Sequence, residues 1–223
     1  MSEREESVVG VSPPPREGDV LFGPGEDWQA NACIARWHQA PGHYASGFRL
    51  AGFRLADHVC ANGSEQDTLV YPIVYLYRHH VELVLKDITR TAAWLLNRAL
   101  SSEDEKALNG HRLSTLWKTA KPMLQPVCEL VDNPPFPVDD IEGIESYIAQ
   151  VDKHDPDGQR FRYATIRKAK PGSNHSLSPD LKHVNIRQFA EAMEKLADYL
   201  EAVAGWFGDL CETKAEMERC ACG

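Results

Sequence analysis

The 223-residue sequence lacks the features that mark membrane, secreted and strongly basic proteins. No stretch reaches about eighteen consecutive apolar residues, so we expect no membrane contact. The acidic, proline-rich N-terminus has no apolar segment of the kind found in secretion signals. Basic residues are also fewer than acidic ones, and the formal net charge is −9. Because such a surface repels phosphate on average, any nucleic-acid contact must be a local patch.

Motifs for metal, phosphate and hydrolase sites are also missing. The six cysteines are scattered, and although Cys220 and Cys222 form a CxC, no second pair lies at zinc-finger spacing. We therefore expect reduced thiols in a cytoplasmic protein, with no metal site and no cofactor. Glycine-rich phosphate loops of the Walker or Rossmann type are absent, and no serine lies in a GxSxG elbow.

What the sequence does contain is helical periodicity. One apolar stripe with steps of three and four runs from about Leu69 to Leu100, and Pro72 fits the first turn of such a helix. A helix this long must be covered by others, so the pattern predicts an all-α fold. The expected architecture is an antiparallel helical bundle around this long central helix.

Further stripes predict the surrounding helices. They run from Tyr44 to Val59, from Leu113 to Pro126 or soon after, from Ile141 to Val151 behind the capping residues Asp139 and Asp140, and from Asn185 to Leu210. DPDG at 155–158 predicts a turn, and residues 159–184 a long basic loop with a short strand around Phe161 to Ile166. We expect a flexible tail over 1–19, one helical domain over 20–211, and a polar tail over 212–223 that frays.

The central helix carries the first candidate site. At about 100° per residue, one flank of that helix collects Tyr75, Arg78, His79, Glu82 and Lys86, whereas His80 falls on the opposite flank. The flank has two interpretations: an exposed ladder of ion pairs, or a partly buried polar pocket in which His79 acts as a general acid or base. His111 opens the next helix and can approach the same pocket.

The second candidate site is the segment from residue 160 to residue 187. It carries one acidic residue and seven basic residues, Arg160, Arg162, Arg167, Lys168, Lys170, Lys182 and Arg187, which gives a net charge of +6. Phe161 and Tyr163 offer rings that can stack on a base, and Arg162 can contact phosphate or pair with Glu82. The segment is either a phosphate-binding patch or a basic surface that faces solvent or a second copy.

Four segments together resemble a known family. In chain order they are YPIVYLYRHHVELVLKDI at 71–88, GHRLSTLWKTAKPML at 110–124, DPDGQRFRYAT at 155–165 and VNIRQFAEAMEKLADYLEAV at 184–203. The pattern is similar to bacterial HEPN-like helical proteins over roughly residues 43 to 210. The family's R-x(4–6)-H motif is not preserved, because Arg78 is followed directly by His79 and His80.

The resemblance implies a bundle that forms homodimers and binds RNA or a nucleotide. Many HEPN domains are metal-independent ribonucleases of toxin–antitoxin and antiphage systems, and others are not catalytic. By this resemblance a site would use Arg78, His79 and Glu82, with His111 and Arg162 brought in by neighbouring elements. The alternatives are a regulatory module for an operon-encoded partner, or a small-molecule sensor with a pocket between helices.

Overall fold

The computed structural model describes residues 15–17, 21–34, 41–164 and 180–221. Contacts divide the chain into two compact units, Met1–Arg36 and Trp37–Gly223. In the first unit a short 3-10 turn spans Trp28–Ala30, and the Asp27 side chain accepts a hydrogen bond from the Gln29 amide at its start. The predicted domain limits at residues 20 and 211 stay a prediction.

Where the second unit is described, all of its regular secondary structure is helical. Its helices are α1 (Pro41–Asn62), α2 (Gln66–Leu95), α3 (Ser102–Leu108), α4 (Leu113–Leu130), α5 (Val138–His154) and α6 (Ile186–Ala221). The described residues contain no strand, so the prediction of an all-α bundle is confirmed. Over the same residues, no helix combines the length and the apolar character needed to cross a membrane.

Helix α2 is the centre of this unit, as its apolar stripe predicts. Its 30 residues span about 45 Å and pack against α1, α4 and α6. Ile73, Leu85 and Ile88 on this helix are fully buried in the core. The helix begins three residues earlier than predicted, so Pro72 lies in the second turn and not in the first.

The C-terminal end of α2 contacts the C-terminal part of α6. Helix α2 stops at Leu95 and not near Leu100, since Asn97 adopts a left-handed backbone with φ of 49°. Lys214 Nζ of α6 donates to the carbonyl oxygens of Trp94 and Leu95 at 2.9 and 3.1 Å, and it lies 4.5 Å from the centre of the Trp94 ring. A cation at the C-terminus of a helix satisfies its last carbonyl groups. This contact anchors α6 as it continues to Ala221, so the expected fraying after Cys211 is wrong.

Two further helix predictions need correction. Helix α4 continues through both Pro122 and Pro126 to Leu130, because its apolar face is buried along the whole length. Asp139 and Asp140 lie in the first turn of α5 but do not cap it, since the N-cap is Pro137.

The segments between the helices also differ from expectation. Helix α3 was not predicted, and it is short enough to depend on the capping box formed by Ser101 and Asp104. Residues 160–162 form a turn instead of the predicted strand, and residues 165 and 166 lie outside the described part of the chain. The predicted cap of the last helix is confirmed, because Asn185 Oδ1 accepts from the Gln188 amide at 3.0 Å.

Candidate functional site

A buried ion pair lies on the polar flank of α2. Arg78 and Glu82 are one turn apart, with Nη1 3.0 Å from Oε2, and their side chains are 2% and 3% exposed. The exposed-ladder interpretation of this flank is therefore wrong. The pair lies inside the protein because the start of α4 and the turn after α5 cover it.

Arg78 holds these three segments together. Its Nε donates to the Asp155 carbonyl oxygen at 3.2 Å, and its Nη2 donates to the His111 carbonyl oxygen. The Asp155 carboxylate lies 3.2 Å from Nε and is 1% exposed, while its Oδ1 accepts from the Arg160 amide at 2.9 Å. Burial raises the pKa of the Asp155 carboxyl, against the opposing effects of the Arg160 amide and the Arg78 charge.

The DPDG turn closes directly onto this guanidinium group. Gly158 has a φ of 72°, and a Cβ atom at this position would lie 2.6 Å from Arg78 Nη1 and 3.0 Å from its Cζ. A left-handed backbone favours glycine, and so does the lack of space. The turn was predicted from its residue types, but its contact with Arg78 was not.

Glu82 also orients a histidine at the surface. Its Oε1 accepts from Lys86 Nζ at 2.8 Å and lies 2.9 Å from His111 Nδ1. Burial disfavours the ionised form of Glu82, but the bonds from Lys86 and His111 outweigh it and hold the pKa below its usual value. An ionised carboxylate can only accept, so His111 Nδ1 carries a proton, and in the neutral form of the ring Nε2 carries the lone pair. With 59% of its side chain exposed, His111 has the geometry of a general base.

An aromatic edge lies beside this network. His79 packs edge-on to Phe48 at 4.5 Å between ring centres and is stacked on Tyr75 at 5.7 Å. The Arg162 guanidinium lies 5.2 Å from the centre of the Tyr75 ring and 5.3 Å from that of Tyr163. The segment after α5 therefore meets the flank of α2 through a cation–π contact.

The pKa of His79 depends on its burial and on the charges around it. Burial is the main cause that lowers its pKa, the Glu82 carboxylate acts in the opposite direction, and the cations of Lys86, Arg78 and Arg162 lower it further. The imidazole is consequently neutral near pH 7. A neutral imidazole between two aromatic rings contributes to packing, but it is a poor proton donor.

Most predicted site residues meet in this region, with two differences. Arg162 was expected either to contact phosphate or to pair with Glu82, and the pair is not formed. Arg162 lies over Tyr75, because the guanidinium of Arg78 already occupies that side of the carboxylate. Phe161 was expected to stack on a base, but it is only 7% exposed and packs near Tyr71.

The remaining basic residues are spread out. Arg160 is half-buried, with Nε 3.7 Å from the Asp157 carboxylate. Arg187 turns to the end of α1, where its Nη2 donates to the Cys60 carbonyl oxygen at 3.4 Å. The predicted ligand-binding residues Arg167 and Lys168 lie outside the described residues.

A second polar cluster, between α1, α2 and α6, was missed. Arg49 of α1 pairs with three carboxylates of α6, and Tyr77 of α2 donates to one of them at 2.7 Å. Those carboxylates, Glu194, Asp198 and Glu201, share one helix face, and this spacing was the available signal. His80 is fully buried in this cluster with Nδ1 3.1 Å from the Ala45 carbonyl oxygen, so its placement on the opposite flank is confirmed.

Across the described part of the chain, no group of three or more histidine, cysteine or acidic residues could hold a metal ion. Comparison with protein-family models, curated proteins and solved structures gives no match. The resemblance to HEPN-like proteins therefore stays a prediction, and the geometry of the site carries the functional argument.

Proposed function

We propose that the protein binds single-stranded RNA and cleaves it without a metal ion, with His111 as the general base. The observation that carries this proposal is the pair formed by Glu82 and His111. A carboxylate that is 3% exposed holds an imidazole that is 59% exposed, at 2.9 Å between Oε1 and Nδ1. A buried, ionised partner fixes the ring orientation and its tautomer, and this arrangement prepares a histidine to accept a proton.

Binding uses the aromatic and cationic edge. Tyr163 is 50% exposed and presents ring surface on which an unpaired base can stack, whereas the half-buried Tyr75 ring is already in contact with His79 and Arg162. Arg162 supplies positive charge next to the Tyr163 ring, and Lys86 adds a second cation further along the same flank of α2. Both attract the phosphate backbone locally, although the whole chain carries a net charge of −9.

The chemistry follows from the tautomer of His111. Its Nε2 accepts the proton of a ribose 2′-hydroxyl, and the 2′-oxygen attacks the adjacent phosphorus atom. The bond from phosphorus to the 5′-oxygen breaks, and that oxygen takes a proton from water, so the products are a 2′,3′-cyclic phosphate and a 5′-hydroxyl. The hydroxide left by that water takes the proton from His111 Nε2, which returns the ring to its starting form. Arg162 and Lys86 stabilise the charge that builds on the phosphate oxygens.

Arg78 and Asp155 act as positioning residues in this proposal. Arg78 is 2% exposed and therefore does not touch the substrate. It holds the His111 backbone through the carbonyl oxygen, while Glu82 holds the ring of the same residue. His79 supports the Tyr75 ring and does not serve as an acid.

The test is cleavage of single-stranded RNA by purified protein in EDTA. We expect His111→Gln to reduce the rate by about a hundredfold or more, as loss of a general base does. His58→Gln is the matched control, because His58 also pairs with a carboxylate, at 2.8 Å from Glu65, but both partners are exposed. The proposal fails if RNA is neither cleaved nor bound in a salt-sensitive manner.

A separate measurement tests the binding edge. We expect Arg162→Gln to weaken RNA binding and to reduce the slope of log affinity against log salt by about 1. Fluorescence anisotropy with labelled single-stranded RNA measures both quantities. An unchanged slope would remove Arg162 from the interface while leaving the role of His111 open to the cleavage assay.

A second candidate function is a non-catalytic module for an operon-encoded partner in a defence system. The near-complete burial of Arg78 and Glu82 favours it, since a buried ion pair can serve structure alone. In this case His111→Gln changes no RNA-directed property, whereas Arg78→Met lowers the melting temperature. The cleavage assay and a thermal melt on the same variants separate the two candidates.

The proposal includes a homodimer in the cytoplasm. Exposed apolar side chains on α1, among them Leu50 and Phe53, offer surface that a second copy would cover. The cysteines among the described residues are free thiols, which supports a reducing compartment. Light scattering of the full chain measures the oligomeric state, and a monomer at all concentrations would contradict the dimer.

A further inference from the structure

A cavity of about 420 Å³ lies between α2, α5 and the start of α6, apart from the His111 surface. Its volume falls within the roughly 300–1,000 Å³ typical of small-molecule sites. Val74, Phe161, Phe189 and Met193 contribute apolar lining. A ligand that fits this interior therefore needs an apolar body. The polar groups at the edge of the cavity determine the charge that the other end of the ligand should carry.

The charged and titratable groups that line the cavity are mostly basic. Lys153, His154 and His183 are among the lining residues, and Asp155 is the one acidic residue in the described lining. The Asp155 carboxylate is already engaged, because it lies 3.2 Å from Arg78 Nε and accepts from the Arg160 amide. With Asp155 engaged in this way, the charge of Lys153 makes the cavity edge attract an anion more strongly than a cation.

Two polar atoms of the cavity residues lack a hydrogen-bond partner, His154 Nδ1 and Asp155 Oδ2, although Asp155 Oδ2 still forms an ion pair with Arg78 Nε at 3.2 Å. His154 Nδ1 is buried and makes no hydrogen bond with any described residue. Buried polar atoms in folded proteins are nearly always paired, and an unpaired one requires an explanation. A ligand that carries hydrogen-bonding oxygen atoms supplies a partner once the His154 ring turns toward the cavity.

We propose that this cavity binds a small monocarboxylate with an aromatic or aliphatic body. The body fills the space between Val74, Phe161 and Phe189, and the carboxylate lies at the edge near Lys153 and His183. This site is separate from the proposed RNA surface and can exist whether or not the protein cleaves RNA. Asp155 is the residue that links the two, because it lines the cavity and contacts Arg78.

The experiment compares three ligands that differ only in their polar end: 4-phenylbutyrate, 4-phenylbutanol and 4-phenylbutylamine. Isothermal titration calorimetry on the full chain, without RNA, measures each affinity. We expect the carboxylate to bind most tightly, the alcohol more weakly and the amine least. Removing the positive charge of Lys153 at the exposed edge should reduce carboxylate affinity about two- to fivefold, so Lys153→Gln lowers that affinity and leaves the alcohol unchanged.

A variant that fills the cavity tests the location. Ala192 lines the cavity and is half-buried, so Ala192→Trp should place a ring in the space and weaken 4-phenylbutyrate binding by at least about tenfold. Ala202→Trp, at an exposed position of the same helix, is the matched control and should bind as the native chain does. Circular dichroism confirms that both variants are folded.

Three results would overturn the proposal. The first is the absence of saturable 4-phenylbutyrate binding at millimolar concentration. The second is equal affinity in Ala192→Trp and the native chain, which would place the ligand elsewhere. The third is tighter binding of 4-phenylbutylamine than of 4-phenylbutyrate, which would contradict the charge argument.

Discussion

Replacing Gly158 by alanine should destabilise the protein through one identifiable contact. The new methyl group would lie 2.6 Å from Arg78 Nη1, which is far inside normal contact distance. Arg78 cannot retreat easily, because Glu82, Asp155 and the His111 carbonyl oxygen hold it on three sides. Either the turn after α5 moves away or the guanidinium leaves its partners.

The expected loss in the free energy of unfolding has two parts. A left-handed backbone costs a residue with a Cβ atom about 1–2 kcal/mol, and the φ of 72° at Gly158 incurs this cost. Displacing one member of a buried ion pair adds up to about 3–5 kcal/mol, because the remaining charge loses its partner in a place without water. We therefore expect Gly158→Ala to cost more than the backbone strain alone, and up to about 7 kcal/mol in total.

Gly63 offers a control that isolates the second part. It has nearly the same backbone, with a φ of 63°, but a Cβ there would meet nothing within 4 Å. Gly63→Ala should therefore cost only the backbone strain, and the effect of glycine on the unfolded chain cancels between the two variants. Urea unfolding followed by circular dichroism measures both free energies. If the two costs agree within about 0.5 kcal/mol, the contact between the turn and Arg78 carries no energy and the reasoning is refuted.

Three other predictions concern the parts of the bundle that surround the site. Tyr77→Phe removes a 2.7 Å hydrogen bond to Glu194 and should lower the free energy of unfolding by about 1.5–3 kcal/mol in urea titrations; no change would mean that water replaces the hydroxyl. Burial lowers the pKa of His80, so the unfolded chain binds its proton more readily. The contribution of His80 to the free energy of unfolding is therefore fully present above the unfolded pKa of about 6.5. Below that pH the free energy of unfolding falls by up to about 1.4 kcal/mol per pH unit. His80→Asn should reduce this dependence when unfolding is compared at about pH 7.5 and about pH 5.5. Lys214→Met should lower stability by about 0.3–1 kcal/mol and increase amide exchange at the end of α2, and unchanged exchange there would deny the capping role.

Periodicity predicted the helices well but not their ends. The stripe on α2 continues past Leu95, and the local signal for the end, an asparagine directly after the C-cap residue Leu96, was missed. The end is fixed by Asn97 in a left-handed conformation and by a lysine that approaches from the other end of the chain, Lys214. Helix α6 extends for the same reason, because a polar segment with little intrinsic signal gains a tertiary partner. Contacts between distant residues cannot be read from local periodicity.

The residues of the candidate site were predicted, but their burial was not. Helical geometry placed Arg78 and Glu82 on one flank, and the structure keeps them there. Their burial depends on how the start of α4 and the 155–158 turn fold over the flank, which one helix cannot reveal. Asp155 gave no signal, since aspartate in a turn usually faces solvent, whereas here the carboxylate is 1% exposed.

The link between fold and proposed chemistry is that His111 is held at two atoms by two residues one helical turn apart. Arg78 binds its carbonyl oxygen and Glu82 binds its ring, so the position and the orientation of the imidazole both derive from α2. Because Arg78 is itself held by the turn at residues 155–158, a disturbance of that turn reaches His111 through a single side chain. Gly158→Ala should consequently reduce RNA cleavage at temperatures where the protein is still folded, whereas Gly63→Ala should not. Equal cleavage by the two variants would show that His111 is positioned independently of Arg78.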